Sequence, residues 1–217
     1  MNRHLTGILA DLHFAPTSTS KENLLKENVA EDRIFITGNT VIDALLETVQ
    51  KGYEFGQEEL TKIDYKGKKV VLLTSHRREN LGKPMENIFA AVRELVEKHI
   101  DIEVVFPVHL NPRVRQIVDM TLKGIERVHL IEPLDYQPFA NLMARSHLVL
   151  TDSGGIQEEA PSLGKPVLVL RDTTERPEAI KAGTVNMVGT DKNVIFNTAS
   201  ELIQNDVSYK KMANAVN

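Results

Sequence analysis

Short apolar runs alternate with amphipathic stretches along nearly the whole chain. Val/Ile/Leu-rich runs at Lys69–Thr74, Ile102–Pro107, Val128–Ile131, 147–151, 167–170 and 184–188 predict strands. Between them, apolar positions at helical spacing predict helices over 84–99, 112–122, 136–145 and 155–160. A short helix from Pro177 and further helices from about 191 to the end complete the series. Ahead of it, 12–15 and 33–37 read as short strands. Residues 18–27 and 39–50 read as helices, with Ser18 or Ser20, and Asn39, as candidate N-caps. Residues 51–67 are polar, hold Gly52, Gly56 and Gly67, and read as a linker with one short helix near 58–63.

Strands that alternate with helices of this length form right-handed βαβ units and a parallel sheet. The strands are apolar throughout rather than alternating, as a sheet covered on both faces requires. The expected fold is α/β, a Rossmann-like doubly wound parallel sheet. Residues 68–217 form the main domain, joined through 51–67 to a smaller unit at 1–50. Pro161 is expected to kink or end its helix before Gly164.

Ligands in such sheets sit beyond the carboxyl ends of the strands, and the chemistry of this sequence gathers there. The run Thr151-Asp152-Ser153-Gly154-Gly155-Ile156-Gln157-Glu158-Glu159 joins a buried strand to a helix through a turn without bulk. Its amides and the Ser153 hydroxyl suit a phosphate, and Glu159 suits a sugar diol. The same turn also serves tight packing in many proteins. His76-Arg77-Arg78-Glu79-Asn80 follows another strand. His76 suits proton transfer or a bond to phosphate, and the arginines suit an anion clamp; the alternative is a solvated loop with Arg–Glu pairing. His109 lies in a loop stiffened by Pro107 and Pro112, where it either binds or caps. Arg171 to Glu178 form a dense polar loop in which Arg176 can reach a diphosphate, oriented by Asp172 or Glu175, or in which all of them cap the next helix. Phe139, past Glu132-Pro133-Leu134, can face a base ring or fill the core. His147 reads as a packed histidine, and His4, His13, His99 and His129 carry no functional signal.

Composition narrows the classes. The 217 residues carry a net charge of −4, which argues against a binder of nucleic-acid phosphates. No apolar run reaches membrane-spanning length. There is no cysteine, which removes disulfides and thiolate chemistry and fits a reducing cytoplasm. The seven histidines are scattered without a metal-ligand spacing.

Taken together, Ser75 to Asn80, Pro107 to Pro112, Thr151 to Pro161 and Arg171 to Glu178 resemble the non-hydrolysing UDP-N-acetylglucosamine 2-epimerases of bacteria. Leu12 to Thr17 and Phe35 to Asp43 resemble them too. The resemblance covers essentially the whole chain. It implies two Rossmann-like domains in the glycosyltransferase-B arrangement, of which this chain is the C-terminal half. It also implies interconversion of UDP-GlcNAc and UDP-ManNAc by elimination and re-addition of UDP, with no metal or redox cofactor. By the same resemblance His76 is the active-site histidine. Ser153, Gly154, Gly155 and Glu159 hold UDP, Arg176 lies in the phosphate region, and Leu134 and Phe139 lie beside uracil. Arg77 and His109 touch a second, allosteric UDP-GlcNAc in regulated members. Family members are much longer, so most of a first Rossmann-like domain is expected before Met1, with residues 1–50 as its remnant, and a last helix after Asn217. The isolated chain is then expected to bind UDP without epimerising it, and the full-length form to dimerise. A UDP-sugar glycosyltransferase of the same architecture and a non-catalytic nucleotide-sugar sensor are the competing readings.

Overall fold

The computed structural model describes residues 2–174 and 177–215. They divide into two compact units, 1–47 and 48–217. In the first, α1 (Asn2–Leu9), β1 (His13–Ala15), α2 (Ser18–Lys26), β2 (Ile34–Ile36) and α3 (Thr40–Thr48) follow one another. Strands β1 and β2 pair in parallel. The cap of α2 is Thr17, not Ser18 or Ser20: its hydroxyl accepts the Ser20 amide at 3.1 Å. Ser20 lies one turn inside the helix and supplies the amide rather than the cap. At the start of α3, the Asn39 side chain accepts the Val41 amide as expected of a capping residue.

The second unit opens with α4 (Glu58–Thr61). The stretch around it, expected to be a linker, is fixed to this unit. The buried Asn141 amide accepts the Gln50 N–H at 2.8 Å and donates to the Thr48 carbonyl at 3.2 Å. The Arg145 guanidinium lies 4.7 Å over the Phe55 ring and 5.6 Å over Tyr65, a pair of cation–π contacts that anchors the same segment.

Six βαβ-linked strands follow: β3 (Lys69–Thr74), β4 (Ile102–Pro107), β5 (Val128–Ile131), β6 (Leu148–Thr151), β7 (Val167–Val169) and β8 (Val185–Met187). The helices between and after them are α5 (Lys83–Lys98), α6 (Pro112–Thr121), α7 (Tyr136–Arg145), α8 (Ile156–Ser162), α9 (Pro177–Ala182), α10 (Lys192–Gln204) and α11 (Asp206–Ala213). All strand pairs are parallel, in the order β5-β4-β3-β6-β7-β8. That is the doubly wound Rossmann order, in which the chain reverses direction across the sheet between its first and fourth strands, here β3 and β6.

The inner strands β3, β4, β6 and β7 are buried because helices cover both faces. Val71, Leu73, Val104, Phe106, Leu148 and Leu150 join one apolar core. Helix α5 adds Met85, Ile88, Phe89, Val92, Leu95 and Val96, a stripe at three- and four-residue spacing. Its last carbonyls are tied by Arg127, which donates to Val96 O at 2.6 Å and His99 O at 2.8 Å. Pro161 lies within α8, which ends one residue later at Ser162. Gly164 then takes φ +67°, a left-handed turn that stops the helix.

Candidate functional site

The reversal between β3 and β6 places two loops side by side. The register pairs Thr74 with Thr151, the last residues of the two strands. Their hydroxyls meet at 2.6 Å. Beyond Thr74 runs the His76 loop; beyond Thr151 runs the glycine turn. Seventy-odd residues of sequence separate them, and the topology alone brings them together.

The glycine turn leaves amides without an acceptor among the described residues. The Ser153 N–H is taken by Thr151 Oγ1 at 3.0 Å, so Ser153 offers a ligand its hydroxyl rather than its amide. Gly154, Gly155 and Ile156 stand at the start of α8, where no intrahelical carbonyl can accept their amides. Gly155 adopts φ −67° and ψ −44°, open to any residue, and a Cβ there would meet nothing within 4 Å. Glycine is therefore not required by the backbone at that position; what it preserves is space. Helix α8 is only 7 residues long, so its dipole adds little to what the amides themselves can offer an anion. Gln157, fully buried, ties the turn to the next loop: it donates to the Ser153 carbonyl at 3.2 Å and accepts the Thr174 hydroxyl at 2.7 Å.

Half-buried Glu159 lies on the same helix. Burial raises its carboxyl above the usual range, and Glu158 pushes the same way. A carboxylate held in that condition gains from a pair of donors such as a sugar diol.

On the other loop, His76 stacks on His109 with ring centroids 5.2 Å apart and planes 11° from parallel. Burial is the largest influence on His76 and lowers its affinity for a proton. Asp152 opposes that, while His109 and Arg77 reinforce it. His109 is exposed, and its Nδ1 accepts the Asn111 amide at 3.1 Å. Arg77 is half-buried and donates from Nε to the Asp152 carbonyl at 3.2 Å. Glu79 does pair with an arginine, but with Arg171 of the loop after β7, at 2.8 Å. That pair borders a small cavity of about 280 Å³, to which Asn80, Asp172 and Thr190 also contribute. A larger cavity of about 1270 Å³ lies within the first unit, lined by residues such as His13, Phe14, Asn23 and Arg33.

His76, Arg77, His109, Ser153, Gly154 and Gly155 thus follow the carboxyl ends of the adjacent strands β3, β4 and β6, and Glu159 lies in the helix that leaves the last of them. Leu134 and Phe139, both half-buried, lie just past the edge strand β5 and in the first turn of α7. Arg176, with Glu175, lies outside the described residues. His147 packs, as expected, against Tyr209 with rings 4.1 Å apart. His99 bonds to Ser200, and His129 pairs with Glu103. Two members of the site gave no separate signal in sequence. Asp152 and Gln157 sit in the glycine-turn motif, yet their roles depend on strands and loops far away in the chain.

The family model described as UDP-N-acetylglucosamine 2-epimerase matches residues 1–217. The UDP-N-acetylglucosamine 2-epimerase of Bacillus subtilis (strain 168) is 56% identical over 217 residues, which are all of this chain and 56% of that protein. Among solved structures, the S. aureus MnaA–UDP co-structure matches with a TM-score of 0.91 at 50% identity, over 100% of this chain and 58% of that one. The UDP-GlcNAc 2-epimerase from Neisseria meningitidis bound to UDP-GlcNAc matches with a TM-score of 0.90 at 49% identity, over 100% of this chain and 59% of that one. This chain therefore spans a little over half the length of the relatives it matches.

Proposed function

The chain belongs to the UDP-N-acetylglucosamine 2-epimerase family, and from that premise we propose that it is the UDP-holding, C-terminal half of a glycosyltransferase-B type enzyme interconverting UDP-GlcNAc and UDP-ManNAc. In this reaction the proton at the sugar C2 leaves and the bond from C1 to the diphosphate oxygen breaks. The products are a 2-acetamidoglucal and UDP. The glucal is then protonated at C2 on its other face, and the diphosphate oxygen returns to C1. UDP is both leaving group and nucleophile, so it must stay bound and oriented between the two steps.

One observation carries this reading. The chain reversal between β3 and β6 sets beside the loop of His76 a turn whose amides at 154–156 meet no acceptor among the described residues, with the half-buried Glu159 on the helix that follows. The amides of Gly154 to Ile156 and the Ser153 hydroxyl hold the diphosphate, His76 donates to it, and Glu159 takes the ribose hydroxyls. The end of β5 lies three strand spacings from β6, roughly 14 Å, a span that suits an extended nucleotide with uracil near Leu134 and Phe139. Arg176 is assigned to the phosphates by family resemblance. Arg77 and exposed His109 are the side chains for a second, regulatory UDP-GlcNAc; its contact with His109 reaches the active imidazole through one ring stack. The full-length form is a homodimer in the cytoplasm, and its chemistry needs no cofactor.

Incubation with UDP-GlcNAc, followed by proton NMR at the sugar C1 and C2, tests the reading. The full-length form should yield UDP-ManNAc without an acceptor, and this chain alone should bind UDP without turnover. Transfer that requires an added acceptor would make the enzyme a glycosyltransferase. Release of free ManNAc with UDP would make it a hydrolysing enzyme.

A further inference from the structure

Asp152 directly follows β6 and is fully buried. Its Oδ2 accepts four hydrogen bonds: from Ser75 Oγ at 3.1 Å, the His76 and Arg77 amides at 2.9 Å each, and Asn80 Nδ2 at 3.1 Å. A buried carboxylate gripped in this way is fixed in place. Its other oxygen, Oδ1, is buried and takes no hydrogen bond among the described residues. That oxygen lies 3.4 Å from Nδ1 of His76. The distance is long for an N–H to carboxylate bond, but a slight turn of the ring closes it, as commonly happens when a ligand binds.

This geometry determines where the proton of a neutral His76 sits. A bare Nδ1 would oppose its lone pair to the carboxylate, whereas a protonated Nδ1 satisfies the orphaned oxygen. The two ring nitrogens lie on opposite sides of the imidazole, so Nε2 is then left bare and directed away from Asp152. Among the described residues no other hydrogen bond to a ring nitrogen of His76 competes. His109 presents a ring face, its Nδ1 being occupied by the Asn111 amide. The Arg77 guanidinium has only donors, and its Nε is engaged with the Asp152 carbonyl.

We propose that Asp152 is the positioning residue of this site: it locks the 75–77 backbone and holds His76 in the Nδ1–H tautomer, so that Nε2 is the atom presented to the diphosphate. The role of Nε2 rests on the nucleotide reading above; the hold on His76 does not. When the diphosphate binds, Nε2 takes a proton from solvent and donates it in a hydrogen bond to the anion, and Asp152 balances the imidazolium from behind. Asp152 thereby couples the two halves of the site, because the glycine turn begins at the next residue.

The test is the tautomer of His76 in the ligand-free chain, read by long-range ¹H–¹⁵N correlation on histidine-labelled protein at a pH where the ring is neutral. The wild type should carry its proton on Nδ1. In Asp152→Asn, one amide oxygen can still accept the backbone donors while the amide nitrogen donates toward Nδ1, so the proton should move to Nε2. A merely structural role would not invert the tautomer. A wild-type proton on Nε2, or an unchanged tautomer in a folded Asp152→Asn, overturns the proposal. If that variant does not fold, the wild-type spectrum alone decides. Titration with UDP adds a second reading: Asp152→Asn should bind about tenfold or more weakly, and equal affinity would remove the role of Nε2. Failure of UDP to bind the wild type would overturn the nucleotide assignment, while the tautomer would still report on the hold of Asp152.

Discussion

Thr74 and Thr151 end adjacent parallel strands as direct register partners, and their buried hydroxyls share a 2.6 Å hydrogen bond at the carboxyl edge of the sheet. Thr151 Oγ1 also accepts the Ser153 amide at 3.0 Å. One hydroxyl therefore joins the two central strands and sets the first residue of the glycine turn. Thr151→Val keeps the volume and strands both partners. It should lower stability by about 1–3 kcal/mol, read as a shift of the urea midpoint at constant slope. A shift within error would mean that water replaces the hydroxyl.

Gly155 separates a structural from a functional glycine. Its helical dihedrals and open surroundings accept a methyl group. Gly155→Ala should therefore leave stability unchanged or raise it by about 0.4–1 kcal/mol. The methyl group would occupy the space assigned to phosphate, so UDP affinity, read by calorimetry, should fall about tenfold or more. Unchanged UDP affinity in this variant would place the phosphate elsewhere.

Glu159 makes the complementary case. Burial, then Glu158, already works against its charge. Glu159→Ala should leave the chain as stable as before, or slightly more so. It should weaken UDP by about 10–100-fold, the worth of hydrogen bonds to a charged group. Deoxyuridine diphosphate should then lose part of its disadvantage relative to UDP. An equal loss for both nucleotides would remove Glu159 from the ribose.

Acid should destabilise the chain. Burial leads in lowering the proton affinity of His76, His99 and His147. The unfolded chain therefore binds protons more readily than the folded one. Stability from this source is complete above about pH 6.5 and is lost as pH falls below it toward the lowered folded values. His147→Phe keeps a ring against Tyr209 and removes a buried unpaired Nε2, at the cost of the bond with the Leu202 backbone. Thermal melts should show little change in mildly alkaline buffer and a smaller loss on acidification. An unchanged loss would assign the acid sensitivity to other groups.

The strands were legible because a sheet covered on both faces turns each into an unbroken apolar run. β3, β4 and β5 fall where the pattern places them. The glycine turn and the His76 loop were legible for a different reason, since each follows a strand and so lies at the carboxyl edge. What the pattern does not carry is adjacency. β3 and β6 are neighbours only because the winding reverses there, and so the contacts of Asp152 with residues 75–80 had no local signature. The same holds for Gln157 with Thr174 and for Arg171 with Glu79. The cap of α2 was displaced for a local reason: Thr17, Ser18 and Ser20 are all competent caps, and only the backbone angles of Thr17 choose among them.

The central claim is that the crevice beyond β3 and β6 holds the diphosphate of UDP, and titration of the ¹⁵N-labelled chain with UDP, followed at its backbone amides, tests it most directly. The predicted result is that the largest shifts fall on Gly154, Gly155 and Ile156, with the 75–80 loop following at the same concentrations. Saturable shifts confined to residues 1–47, with those three amides unmoved, would contradict it.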